Sequence, residues 1–139
     1  MPALEFLDSN VLVYAYDSTD LPKQAAAQRL LRRAVAGEIL ASAQVLGEFA
    51  ATLLHKLAPA PHADDLAAIL DALSPIKLVP IDGNTVRRAV EAHATYGVHF
   101  YDGMILATAE RAACTRIWSE DLSPGQKYFG VEVTNPFRA

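Results

Sequence analysis

At 139 residues, with 52% hydrophobic and 20% charged side chains, the chain has the size and composition of one ordered domain with its own core. The formal net charge of −4 gives no global sign of nucleic-acid binding, and the sole cysteine, Cys114, excludes an internal disulfide. No apolar run approaches the ~20 residues of a membrane span, and Met1-Pro2 leads straight toward a strand, leaving no room for a signal peptide; a reducing cytoplasm is the expected setting.

In chain order, an apolar run marks a first strand at Leu4–Leu7, and a short helix starts near Asn10. A helix from about Leu21 to Ala36 has Asp20 to cap it and Pro22 in its first turn, where a missing N–H costs little. Its apolar positions Ala27, Leu30, Leu31 and Ala34 follow helical spacing, and Gly37 closes it. A second strand covers Glu38–Ala41. The next helix, about Ala43 to Leu57, carries Val45, Phe49, Leu53 and Leu57 and stops before Pro59 and Pro61. A shorter helix with Leu66, Ile69, Leu70 and Leu73 leads to a strand at Ile76–Val79. Asp82 caps a helix with Val86, Ala89 and Val90 on one face, and a last helix runs from near Tyr101 to about Ala113. Strands at Thr115–Trp118 and Val131–Val133 complete the series. Strands separated by helices require crossover connections. The expected fold is therefore α/β, a mainly parallel sheet of about five strands flanked by helices, in a single domain over residues 1–139. Such sheets bind ligands beyond the carboxyl ends of their strands.

Acidic residues stand at those ends. Asp8 follows the first strand, in "LDSNVLVYA", where it reads either as a turn and helix cap or as a mounted carboxylate. Glu120 and Asp121 follow the fourth strand in "WSEDL". On a helical wheel Asp102 falls among Ile105, Leu106, Ala109 and Ala113, in the first turn of an apolar stripe. The helix dipole favours a carboxylate there by about 0.3–1 kcal/mol, but an unpaired buried charge is expensive. A buried cap, an internal salt bridge and a cation ligand all remain open for it. Glu48 lies off the Phe49–Leu53 stripe and reads by itself as a solvated side chain. Its neighbour Gly47, a poor helix former, suits close approach by another backbone or a substrate.

Converging carboxylates repel: two such charges 4 Å apart cost about 4 kcal/mol at an effective dielectric of 20. Divalent cations relieve that cost, and all-oxygen ligands favour Mg²⁺ or Mn²⁺ over zinc. One cysteine and four scattered histidines show no zinc spacing. His55 and His62 read as surface residues, His93 as a core histidine, and His99 stands close enough to Asp102 to orient something. No histidine partners Ser9 or Ser119 for nucleophilic catalysis, and there is no glycine-rich phosphate loop.

At these residues the sequence resembles the PIN-domain ribonucleases, and most of all the toxin half of bacterial VapBC-type toxin–antitoxin pairs. "LDSNVLVYA" is similar to the family's opening strand, Glu48 to a glutamate preceding an aromatic, "YDGMILATA" to its second aspartate motif, "SEDL" to its late aspartate motif, and "GVEVTNPF" to its closing strand. The resemblance implies a three-layer PIN fold and an acidic catalytic and metal-binding quartet of Asp8, Glu48, Asp102 and Asp121. Asn10 and Ser119 match residues that orient the acids, and Glu120 is an accessory. It further implies a Mg²⁺- or Mn²⁺-dependent endoribonuclease, a homodimer, and an antitoxin with a segment covering the acidic pocket. Lys23, Arg29, Arg32 and Arg33 form the densest basic cluster, either a solvated helix face or a contact for RNA phosphates. Two readings compete. A phosphohydrolase with Asp8 as nucleophile wants an acid where Asn10 stands. A non-catalytic cation-binding or phosphoacceptor module wants a lysine at the pocket, and the late motif offers only Lys127.

Overall fold

The computed structural model describes residues 3–138; Met1 and Pro2, where the sequence suggests direct entry into a strand, lie outside them. The elements run β1 (Leu4–Leu7), α1 (Ser9–Tyr16), α2 (Leu21–Val35), β2 (Ile39–Ser42), α3 (Ala43–His55), α4 (Ala63–Ala72), β3 (Leu78–Val79), α5 (Gly83–Tyr96), α6 (Phe100–Arg111), β4 (Cys114–Trp118), β5 (Lys127–Tyr128) and β6 (Val131–Thr134). One six-stranded sheet has the order β3-β2-β1-β4-β6-β5. Every pairing is parallel except that of β5 with β6. The α/β architecture expected from the alternating pattern is therefore present, with one strand more than the sequence indicated.

Local chemistry fixes most of the boundaries. Asp20 accepts the N–H of Lys23 and starts α2, with Pro22 in the first turn. Ser42 ends β2 and caps α3 through the N–H of Val45, and Asp82 with Thr85 forms a capping box on α5. Helix α3 stops at His55 rather than Leu57, because Lys56 already leaves helical geometry ahead of Pro59. The strand expected at Ile76–Val79 shrinks to Leu78–Val79: Ile76 donates its N–H to the Leu73 carbonyl and closes the turn after α4.

Phe6, Leu7, Ile39, Phe49, Leu53, Ile105, Leu106 and Ile117 are all buried, at about 1.5–3 kcal/mol each. Helix α1 packs on α2 and α3, while α6 lies between α5 and the strands β4 and β6. Residues 103 to 109 of α6 are consequently buried on all sides, so this helix has no polar face rather than a stripe. Close approach is needed at Gly103, not Gly47: a Cβ on Gly103 would come within 2.8 Å of the Ala89 carbonyl oxygen, whereas Gly47 faces open space. The small residues Ala89 and Ala92 turn toward α6. As a result Val86 and Val90, expected on the inner face, are 42% and 55% exposed, and His93 is an exposed residue whose Nδ1 donates to the Val98 carbonyl.

Candidate active site

The middle strands β1 and β4 lie side by side, and both end beneath the same region of surface. The Asp8 N–H donates to the Trp118 carbonyl at 3.0 Å, which carries the ladder one residue past β1. The chain then turns into α1, and the Asp8 carboxylate caps that helix by accepting the Ser9 N–H at 2.7 Å. Its other oxygen accepts from Ser119 Oγ at 2.7 Å and from Asn10 Nδ2 at 3.4 Å. Only 4% of Asp8 is exposed. Burial pushes its carboxyl up to about 6; the Ser119 and Ser9 hydrogen bonds oppose the rise, and the charges of Glu48 and Asp102 add to it.

The other acids arrive from separate elements. Asn10 Nδ2 donates to Asp121 at 3.1 Å, while Asn10 Oδ1 accepts the Glu120 N–H at 3.2 Å, tying the loop after β4 to α1. Ser119, buried, also accepts the Asp121 N–H at 3.2 Å. Asp102 is half-buried in the first turn of α6. Its carboxyl is raised by burial first, then by Asp121 and Glu48, against an opposing influence of His99. Glu48 is held at both oxygens, by Ser9 Oγ at 3.2 Å and by Gln44 Nε2 at 3.2 Å. The structure thus gathers Asp8, Glu48, Asp102, Asp121, Asn10 and Ser119 at the carboxyl ends of β1 and β4. None of the four acids is ion-paired among the described residues.

Glu120 differs in kind. It pairs with Lys23 at 2.6 Å and accepts from the Tyr14 hydroxyl at 2.9 Å, with the Lys23 ammonium 4.7 Å from the centre of the Tyr14 ring. The basic cluster on α2 does not converge on the acids. Only Lys23 reaches their edge, Arg29 and Arg32 are exposed, and Arg33 pairs with Glu5 near the start of β1 and with Glu38. About 15 Å of helix separates Lys23 from Arg33. His55 and His62 are exposed, as expected, and His99 caps α6 by accepting the Tyr101 N–H at Nδ1.

Two contributors were not singled out from sequence. Gln44 bridges Glu48 to the Tyr101 carbonyl, at 3.0 Å, and its Oε1 is buried without a partner. Helical i,i+4 spacing from Glu48 is the signal that marks it. Tyr14 fixes Glu120, and no local pattern announces that contact.

The four acids offer only oxygens, and among the described residues none of them is ion-paired. That set fits a hard divalent cation and not zinc. Among the described residues no three Asp, Glu, His or Cys side chains stand close enough together to hold a metal ion between them as they are. An ion that keeps several waters and takes one or two carboxylates plus substrate oxygens, as Mg²⁺ does, suits such an open arrangement.

A parallel α/β domain with unpaired carboxylates over its central strands defines the class of protein. The PIN domain family model matches residues 6–127, a span that includes every acid of the cluster, and the chain belongs to that family of nucleases. Similar solved structures share the fold at low identity. The sarcin–ricin loop-cleaving toxin VapC20 of Mycobacterium tuberculosis is 19% identical, with a TM-score of 0.66 over 84% of this chain and 89% of that one. VapBC2 of Rickettsia felis, bound to a DNA fragment from its promoter, is 14% identical, with a TM-score of 0.67 over 95% and 98%. FitAB bound to an IR36 DNA fragment is 20% identical, with a TM-score of 0.64 over 97% and 96%. Comparison with curated proteins gives no match.

Proposed function

We propose that this PIN domain is a divalent-metal-dependent endoribonuclease that hydrolyses RNA phosphodiester bonds as the toxin of a two-component toxin–antitoxin module. The observation that carries the reading is the meeting of Asp8, Glu48, Asp102 and Asp121 without a cationic partner. Carboxylates held together in this way need a cation to offset their repulsion, and phosphate oxygens can share that cation. The printed descriptions of VapC20, VapBC2 and FitAB support the toxin assignment by likeness of fold. On this reading the chain is one domain, works in the cytoplasm, pairs with itself, and is silenced by an antitoxin segment laid over the acids.

Asp8 and Asp102 would be the principal ligands, and Glu48 and Asp121 would complete the shell and position water or a second ion. Mg²⁺ or Mn²⁺, when bound, lowers the pKa of a water and stabilises charge on the phosphate oxygens. Ser119, Asn10, Ser9 and Gln44 hold the carboxylates in fixed directions, so that little reorganisation accompanies the reaction. Asp8 is a poor candidate nucleophile, since Asn10 stands where such an enzyme needs its acid. Lys127 lies on β5 against Glu132, which offers a phosphoacceptor module nothing.

Purified protein should cleave RNA with Mg²⁺ or Mn²⁺ and stop on chelation. Asp8→Asn should abolish cleavage while keeping the fold, because the isostere removes a charge but no volume. Full cleavage by a nuclease-free preparation of Asp8→Asn would refute the site.

A further inference from the structure

We propose that Tyr101 and His99 form a stacking platform for an unpaired nucleobase of the substrate, set beside Asp102. The proposal rests on the ribonuclease reading and extends it to the class of substrate: RNA with a free base next to the bond that is cut.

Tyr101 is 55% exposed, although it stands in the first turn of a helix whose residues 103 to 109 are buried. A lone exposed aromatic residue needs no explanation, but this one is held in place. The His99 ring lies 5.8 Å from the Tyr101 ring at an interplanar angle of 29°, an offset near-parallel pair, and His99 is exposed as well. His99 Nδ1 accepts the Tyr101 N–H at 3.2 Å, which pins the imidazole. The Tyr101 carbonyl accepts from Gln44 Nε2 at 3.0 Å, and the same amide group grips Glu48 at 3.2 Å. Phe100 meets the Tyr101 ring edge-on, with centroids 5.2 Å apart. The backbone of Tyr101 is therefore fixed at both its donor and its acceptor. Through Gln44 it is tied to one acid of the cluster, and through the chain to the next residue, Asp102.

A nucleotide with its phosphate over Glu48 and Asp102 has these rings beside its base. Stacking accepts any base, because every base presents a π face, but it requires that the base be unpaired. The backbone would be held through the cation shared with the acids, and the rings select single-stranded character. The basic residues of α2 cannot supply that discrimination.

The test is steady-state cleavage of a fluorescently labelled single-stranded oligoribonucleotide of mixed sequence. Tyr101→Ala should raise KM about tenfold, the loss of roughly one stacked base, while Tyr101→Phe keeps the parent's KM. Both variants should melt with the parent. On a strand lacking the base beside the scissile bond, parent and Tyr101→Ala should give the same KM. If the parent cleaves RNA and Tyr101→Ala matches it on the intact strand, the platform is overturned and the nuclease reading stands. Loss of affinity for an antitoxin alone, with RNA kinetics unchanged, overturns it equally. A parent that cleaves no RNA removes both readings.

Discussion

Asp8 caps α1 with a carboxyl that is 4% exposed and faces the charges of Glu48 and Asp102, so protonation of this one group is linked to folding. Its folded value of about 6 lies above the ordinary 3.8, so the folded chain holds this proton more tightly than the unfolded chain. The resulting stabilisation is complete below the unfolded value and lost as pH rises through the folded one, a span worth roughly 3 kcal/mol. In chelator, parent should gain stability relative to Asp8→Asn as pH falls from about 7 to about 4. Urea melts across that range check it, and a constant difference would show that Asp8 ionises like a surface acid. Asp8 and Asp102 were legible because an acid interrupts an apolar pattern at each. Glu48 was legible only by resemblance. One of its two holders, Gln44, stands at i−4 on the same helix, but the other, Ser9, is 39 positions away, and helical periodicity does not record a contact at that distance.

Helix α6 positions Asp102 by burying residues 103 to 109, and its contact with α5 is set by the absence of a side chain at Gly103. Gly103→Ala places a methyl 2.8 Å from the Ala89 carbonyl oxygen, backbone that cannot swing away. The variant should lose about 1–3 kcal/mol, as overpacked cores do, and should also lose RNA cleavage as Asp102 shifts. Chemical denaturation and an activity assay on the same sample decide it; parent-like values in both would mean that the two helices separate freely. The wheel reached Asp102 through a stripe that does not exist, since residues 103 to 109 of α6 are all buried and an inner stretch of helix shows no polar side to the sequence. Strand β5 was missed for a different reason. It is two residues long and joins β6 through Phe129 and Gly130, both with positive φ, where a two-residue turn ordinarily advertises itself with Asn-Gly or Asp-Gly. The Tyr96 hydroxyl accepts the Phe129 N–H at 2.9 Å, and the Arg88 guanidinium sits 3.6 Å from the centre of the Phe129 ring. Those tertiary contacts hold a residue that local preference disfavours.

Across the whole molecule the unpaired acids set a tension between binding and folding. Asp102→Asn should be as stable as the parent or more stable without metal, even though substitutions beside a core usually destabilise. Mg²⁺ at a hundred times its dissociation constant should stabilise the parent by about 2.7 kcal/mol and the variant far less. Thermal melts with and without the ion test this; equal shifts for both would make Asp102 a structural cap. In cells, expression of the parent alone should arrest growth and Asp121→Asn should relieve it, with equal arrest by both forms placing toxicity elsewhere. The contact between Asn10 and Asp121 spans 111 positions, and β1 pairs with β4 across a similar separation, Leu4 with Cys114. During synthesis at about 5–20 residues per second, about 6–22 seconds separate the emergence of Asn10 from that of Asp121. Throughout that interval the growing chain lacks the loop that completes the acidic cluster. On the proposed toxin reading the nascent chain is unarmed throughout that interval, and an inhibitor already in the cell has that time in which to meet it.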